Sequence, residues 1–286
     1  MTKDPTIGFI GQGFIGKNYA DDFEARGYHV VRYALEAPYV DNRDRIADCD
    51  VVFIAVPTPT TPAGFDFSLV QSVAGLAGEG KSVVIKSTIL PGTCAKIQAH
   101  YPDRFIFHSP EFLTEKNAAR DAAHPSRNII GYPIDNEEYR RRAEEIMAIL
   151  PDSPFRLICT AAEAELVKYA ANGFLFLKLV YANILYDLAR QSGSDWEKIR
   201  AGVTADARIG ASHFDPVQAS DAAGVIGRGA GGHCFIKDFA ALAAYCEQSG
   251  HDQAGAEFLN AAAKKNIELL RASGKDLELL RSVYGE

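Results

Sequence analysis

The chain has 286 residues, 47% apolar and 23% charged, enough to bury a core and to divide into two lobes. Its formal net charge of −7 argues against general nucleic-acid affinity, which depends on Lys and Arg neutralising phosphates, and no apolar run reaches the length of a membrane span. Five cysteines, Cys49, Cys94, Cys159, Cys234 and Cys246, show no Cys-x-x-Cys spacing, so neither a disulfide scaffold nor a metal site is expected. With no secretory pattern in Met1–Pro5, the expected compartment is the cytoplasm.

In chain order, the first half alternates short apolar runs with amphipathic stretches, the pattern of a parallel sheet covered by helices. Strands are predicted at Ile7–Ile10, His29–Tyr33, Val51–Val56, Ser82–Lys86, Arg104–Phe107 and Asn128–Gly131, with Phe155–Ile158 at an edge. From Ala161 to about Gln191 apolar residues recur at helical spacing, longer than a usual globular helix and suited to joining lobes or forming a dimer interface. Asp195 reads as the N-cap of the next helix, Pro216 to Gly232 as loop, and helices resume from Lys237. The expectation is an α/β fold: a Rossmann-type doubly wound parallel sheet over residues 1–160, then a mostly α-helical domain over 161–286 built on a long central helix.

Gly11-Gln12-Gly13-Phe14-Ile15-Gly16 follows the first strand directly and opens a helix, the context a dinucleotide-binding turn requires. Gly11 permits the tight turn, Gly13 lets backbone approach a pyrophosphate, and Gly16 lets helix pack on strand, while the helix N-terminus offers N–H donors and a positive dipole. The acid expected after the second strand to hold the adenosine ribose is missing: Ala34 stands there, with Arg32, Tyr33 and Glu36 around it. NAD is the expected cofactor. The alternatives are Glu36 taking the ribose role from two residues away, NADP with Arg32 meeting its 2′-phosphate, and a plain loss of cofactor affinity.

The second half gathers reactive residue types. Lys168 and Asn172 are four apart, hence on one face of the long helix and able to point at one substrate oxygen. Gly229-Ala230-Gly231-Gly232-His233-Cys234-Phe235-Ile236-Lys237-Asp238 places a thiol at the end of a glycine-rich loop, just before a helix whose dipole favours thiolate. Asp238 follows one turn on. The bland readings are a buried apolar Cys, a solvated Lys and a helix-start acid; the glycine loop with His233 and Lys237 beside it favours function for Cys234.

Together with Val56-Pro57-Thr58-Pro59-Thr60, Lys86-Ser87-Thr88, Pro91-Gly92-Thr93, Ser109-Pro110-Glu111-Phe112-Leu113-Thr114-Glu115 and Asp206-Ala207-Arg208-Ile209-Gly210, these motifs occur in the order of the UDP-glucose/GDP-mannose dehydrogenase family, which the chain resembles from Thr6 to at least Gly250. The resemblance implies oxidation of a primary alcohol of a sugar nucleotide or related sugar to the carboxylate, by two hydride transfers to NAD through a thiohemiacetal and a thioester on Cys234. It implies oxyanion stabilisation by Lys168 and Asn172, water positioning and proton transfer by Thr88 and Asp238, and Glu111 and Glu115 around the sugar end, with Glu115 setting the state of Lys168. The implied cofactor site comprises Gly11, Gly13, Phe14, Ile15, Gly16, Tyr33, Pro57, Thr58, Thr88 and Lys237. The implied substrate site comprises Glu111, Phe112, Lys168, Asn172, Gly231 and Arg208, the last reaching a neighbouring subunit and so implying a homodimer.

Several positions depart from the family. Arg228 and Ala230 occupy the loop where an aromatic is usual, Ile236 stands for a common proline, and the chain reaches Glu286 after two more helices, where full-length members carry a third, nucleotide-binding domain. The expectation is therefore a short form whose substrate is a smaller alcohol, a sugar phosphate or a nucleoside derivative, unless a partner chain supplies that domain or the chain is a fragment. Two rival readings stand beside this one. A β-hydroxyacid dehydrogenase of the 3-hydroxyisobutyrate or 6-phosphogluconate type would use Lys168 and need no cysteine. A non-catalytic nucleotide-binding or regulatory protein would bind without turnover.

Overall fold

The computed structural model describes residues 5–220 and 224–285. Residues 1–4, on which the reading of the chain's start relied, and 221–223 of the expected loop lie outside the described residues. Two compact units divide the chain, one formed by Met1–Thr58 with Asp66–Lys168 and the other by Pro59–Phe65 with Tyr169–Glu286.

The first unit is built on a seven-stranded sheet. Its strands are β1 (Ile7–Ile10), β2 (Val30–Tyr33), β3 (Val51–Ile54), β4 (Ser82–Ile85), β5 (Phe105–His108), β6 (Asn128–Tyr132) and β7 (Arg156–Thr160), in the order β2-β1-β3-β4-β5-β6-β7. All seven coincide with predicted strands to within a few residues. The four residues of each of β1, β3 and β4 are all buried, as continuous apolar runs covered on both faces should be. The sheet departs from the all-parallel expectation at one junction: β5 and β6 run antiparallel, with His108 opposite Gly131. Apolar patterning reports burial of a strand but not its direction, so this turn-back was not readable in advance.

Helices α1 (Phe14–Ala25), α2 (Ser68–Ala74), α3 (Thr93–His100), α4 (Ala118–Ala123) and α5 (Glu137–Ile149) connect the strands. Phe9 of β1 stacks on Phe53 of β3 at 5.0 Å, and Phe23 of α1 meets Phe9 edge-on at 5.6 Å. These rings anchor α1 to the sheet, each burying an area that contributes about 2–3 kcal/mol, and so fix the turn from which α1 starts.

Helix α6 runs without interruption over Ala161–Gln191, and the division between units falls within it. The second unit adds α7 (Trp196–Thr204), α8 (Gly232–Ser249), α9 (Gln253–Ser273) and α10 (Leu277–Tyr284). Asp195 caps α7 by accepting the Glu197 N–H at 2.9 Å, as predicted. Phe176 of α6 stacks on Phe239 of α8 at 3.7 Å, while Trp196, Phe214 and Tyr186 form a second aromatic cluster. The expected loop before α8 contains a two-residue antiparallel pair, Val217–Gln218 with Gly227–Arg228, and α8 begins at Gly232, not at Lys237. Cys234 therefore lies within the first turn of the helix.

Candidate functional site

In the first unit, the glycine turn has the geometry a dinucleotide requires. Gly11 has φ +91°, and a Cβ there would sit 2.2 Å from the Ala55 carbonyl oxygen; a Cβ on Gly16 would sit 1.9 Å from the Gly11 oxygen. Both positions exclude any side chain. A Cβ on Gly13, by contrast, would meet nothing within 4 Å, so backbone is open to a ligand at the start of α1, whose N-cap, Gly13, has no side chain to offer. This cradle fits the pyrophosphate of a dinucleotide. Phe14 is exposed and Ile15 half-buried, while Tyr33 is buried with its carbonyl accepting the Gly11 N–H at 2.9 Å.

Arg32, the residue expected to meet a 2′-phosphate if NADP were bound, is engaged within the protein. Its guanidinium, 10% exposed, binds Glu24 at 2.7 Å and Asp21 at 2.7 Å, both on α1. A guanidinium already engaged by two carboxylates does not favour NADP.

The carboxyl ends of β3, β4 and β5 converge, as ligand-binding edges of such sheets do. Ser87 donates to the Val56 carbonyl at 2.7 Å and accepts the Val56 N–H at 3.0 Å, and the buried Thr58 hydroxyl donates to the Thr88 carbonyl at 2.8 Å. Pro57 stays exposed beside them. Beneath this edge, the Lys86 ammonium donates to Ser109 Oγ at 2.9 Å and lies 4.4 Å from the Tyr19 ring centre; burial pushes it down to about 7. His108 is fully buried and held neutral by burial and by the Lys86 charge, its ionisation pushed down to about 3. Neither residue was given a role from the sequence, although Lys86 opens the Lys86-Ser87-Thr88 motif.

Glu111 and Lys168 form a buried ion pair. The Lys168 ammonium donates to Glu111 Oε1 and to the Glu111 carbonyl, each at 2.8 Å, with side chains 6% and 5% exposed. Glu111 Oε2 accepts the Leu113 N–H at 2.8 Å, and Phe112 lies under the Arg127 guanidinium at 3.6 Å. Glu115 stands exposed in a single 3-10 turn. Glu165, also overlooked from sequence, is fully buried and accepts the Gly92 and Cys94 N–H groups at 2.6 and 2.7 Å; burial raises its ionisation to about 7. It thereby ties α6 to the start of α3.

In the second unit, Asp238 is 2% exposed and accepts from Asn172 at 2.7 Å and from Lys237 at 2.5 Å. Asn172 is thus anchored to the acid one turn beyond the exposed Cys234. Gly231 is packed tightly: a Cβ would lie 2.0 Å from Asp276 Oδ2. Arg208 is 89% exposed, its guanidinium paired with Asp206 at 2.6 Å. Among the described residues no cluster of three or more His, Cys, Asp or Glu could hold a metal, and no helix is long and apolar enough to cross a membrane.

Residues 34–150 match the model of the UDP-glucose/GDP-mannose dehydrogenase family NAD-binding domain, and residues 162–268 match that of the same family's central domain. The chain belongs to this family. Membership makes the first unit an NAD-binding one, in agreement with its glycine cradle. The chain is 30% identical over 241 residues to UDP-glucose 6-dehydrogenase from Rickettsia conorii, which covers 80% of this chain and 53% of the relative. It is 35% identical over 256 residues to UDP-glucose 6-dehydrogenase from Pseudomonas aeruginosa, covering 84% and 52%. A solved UDP-glucose dehydrogenase from Pyrobaculum islandicum superposes with a TM-score of 0.79 at 27% identity, over 99% of this chain and 72% of that one. The chain spans about half the length of the curated relatives it matches.

Proposed function

We propose that this chain performs NAD-dependent oxidation of the primary alcohol of a sugar nucleotide, or of a related sugar, to the carboxylate through a covalent intermediate on Cys234. The observation that carries this reading is the exposed thiol in the first turn of α8, backed one turn later by a buried acid that Asn172 and Lys237 hold in place. Neither rival reading requires a cysteine there.

Gly11, Gly13, Phe14, Ile15, Gly16, Tyr33, Pro57, Thr58, Thr88 and Lys237 would hold NAD, which when bound accepts a hydride in each of the two oxidations. The chain's own residues do the rest. Lys168, a cation supported by Glu111, and Asn172 stabilise negative charge on the substrate oxygen. After the first oxidation the Cys234 thiolate adds to the aldehyde carbon, forming a C–S bond and a thiohemiacetal. Loss of the second hydride to NAD leaves a thioester; water positioned by Thr88 gives one proton to Asp238 as base while its oxygen bonds to the acyl carbon, the C–S bond breaks to free the Cys234 thiolate, and the carboxylic acid so formed ionises to solvent as the carboxylate. Glu111, Glu115, Phe112 and Gly231 lie with the sugar end of the substrate in this scheme.

A homodimer accompanies the proposal. Phe174, Tyr181 and Leu188 of α6 are 67%, 57% and 55% exposed and recur every seven residues, an apolar stripe suited to a second copy of the helix. Arg208, exposed and paired with Asp206 of its own loop, would reach the partner's substrate. The five cysteines, none bridged, fit a reducing cytoplasm.

The test is the stoichiometry of NADH formed from limiting UDP-glucose. Two NADH per sugar, falling to one or none in Cys234→Ser, supports the reading; one NADH in both proteins points to a simple alcohol dehydrogenase. Binding without any NADH would leave only a nucleotide-binding role.

A further inference from the structure

The loop that leads into Cys234 is held by side chains from the second half of α9 and from the turn that follows it. Arg228 donates its backbone N–H to Ser273 Oγ at 2.9 Å. Ala230 pairs in both directions with the Asn266 amide, at 2.7 and 2.9 Å. The Lys275 ammonium, fully buried, donates to the carbonyls of Gln218 at 2.9 Å and Gly229 at 3.1 Å. Asp276 Oδ2 accepts the Gly232 N–H at 2.8 Å and the Ser220 hydroxyl. Residues 273–276 lie beyond residues 162–268, where the family model matches, and nothing in the local sequence of α8 could replace them, since its N-cap is Gly231, with no side chain to offer.

Resting on the reading of Cys234 as nucleophile, we propose that Lys275 and Asp276 are its positioning residues, one clamping the glycine loop and the other capping α8, so that together they set the presentation and reactivity of the thiol. Asp276 binds the first residue of α8, and Cys234 is the third. The carboxylate therefore occupies the positive end of the helix, where it competes with a thiolate for the same N–H groups, while the Lys275 ammonium acts in the opposite sense. The glycine at 231 follows from the same arrangement, because any side chain would displace the Asp276 carboxylate. The nearest charges on α8 itself, Lys237 and Asp238, pair with each other and stay constant across the variants below.

The experiment uses the full chain and measures site-resolved alkylation of Cys234 by iodoacetamide at pH 7.5, with half-buried Cys246 as internal reference. Asp276→Asn keeps an oxygen for the Gly232 N–H and removes the charge; alkylation should accelerate by roughly 2–5-fold, the effect of one charge at a helix terminus. Lys275→Met should slow it by a similar factor. Loosening of the loop alone would move both variants the same way, so changes of the same sign, or no change, overturn the proposal. Should Lys275→Met fail to fold, hydrogen exchange over residues 227–234 decides: it should rise in Asp276→Ala and stay near wild type in Asp276→Asn, and equal exchange in the two removes the cap. Neither readout needs turnover. A chain that shows the opposed alkylation shifts but oxidises no nucleotide sugar loses the nucleophile reading alone, whereas an active chain without those shifts loses the clamp alone.

Discussion

Replacing Glu111 by Gln probes the buried pair on which the proposed oxyanion lysine depends. The two side chains are 6% and 5% exposed and their charged atoms are 2.8 Å apart, so the variant strands an ammonium in a site with little water. Breaking a buried pair from one side costs about 3–5 kcal/mol. The Glu111 carbonyl still accepts from Lys168 at 2.8 Å, and a glutamine oxygen can still accept the Leu113 N–H, which places the expectation near the lower end, about 3 kcal/mol. Lys168→Met strands the carboxylate instead and should cost a similar amount. The double variant removes both charges and should be more stable than the sum of the singles predicts, by about 2 kcal/mol or more, the coupling expected of residues in direct contact. Urea unfolding of the four proteins measures this cycle, and turnover should be lost in all three variants. Single-variant costs under about 0.5 kcal/mol, or simple additivity, would refute the argument that the pair is energetically coupled in a dry site.

Other perturbations follow from the same geometry. Glu165 has its ionisation raised from an ordinary carboxyl value to about 7 by burial; its protonated form favours the fold, so this contribution is fully present below the unfolded carboxyl range and is lost as pH rises to about 7. Between these limits wild type should lose about 3 kcal/mol relative to Glu165→Gln, and parallel pH profiles in urea unfolding would count against it. Arg32→Ala should destabilise by about 1–2 kcal/mol through loss of the Asp21 and Glu24 bonds, while titrations with NADH and NADPH should weaken equally; a selective loss of NADPH would restore a 2′-phosphate role. Gly16→Ala sets a methyl group against the Gly11 oxygen and should abolish detectable NADH binding, an outcome that unchanged calorimetric affinity would contradict.

Much of the first unit was legible because local pattern and tertiary role agree there. Runs such as Val51–Ile54 are buried on both faces, so an unbroken apolar stretch is the whole signal, and α6 announces itself through thirty-one residues of helical spacing. Gly11 and Gly16 were readable for a different reason: their missing side chains are demanded by backbone only a few residues, or one strand, away. Lys168, Asn172, Cys234 and Asp238 could be picked out by type and spacing, but nothing in the sequence showed what each one holds.

Those partners were decided by the tertiary structure. Arg32 has the composition of a phosphate receptor, and only the packing of α1 against β2 commits it to Asp21 and Glu24. Lys86 and His108 look like ordinary polar strand ends until the fold buries them together and shifts both toward the neutral form. The antiparallel entry of β6 and the inclusion of Pro59–Phe65 in the second unit depend on which surfaces meet, information that periodicity does not carry. The start of α8 is the clearest case: five residues that read as loop are helical, and the N–H of the first of them is accepted by Asp276, forty-four residues away. Short-range sequence determined which segments form strands and helices through side-chain periodicity and glycine sterics; long-range contacts determined which charges are paired, which donors are capped and hence which groups remain available for chemistry.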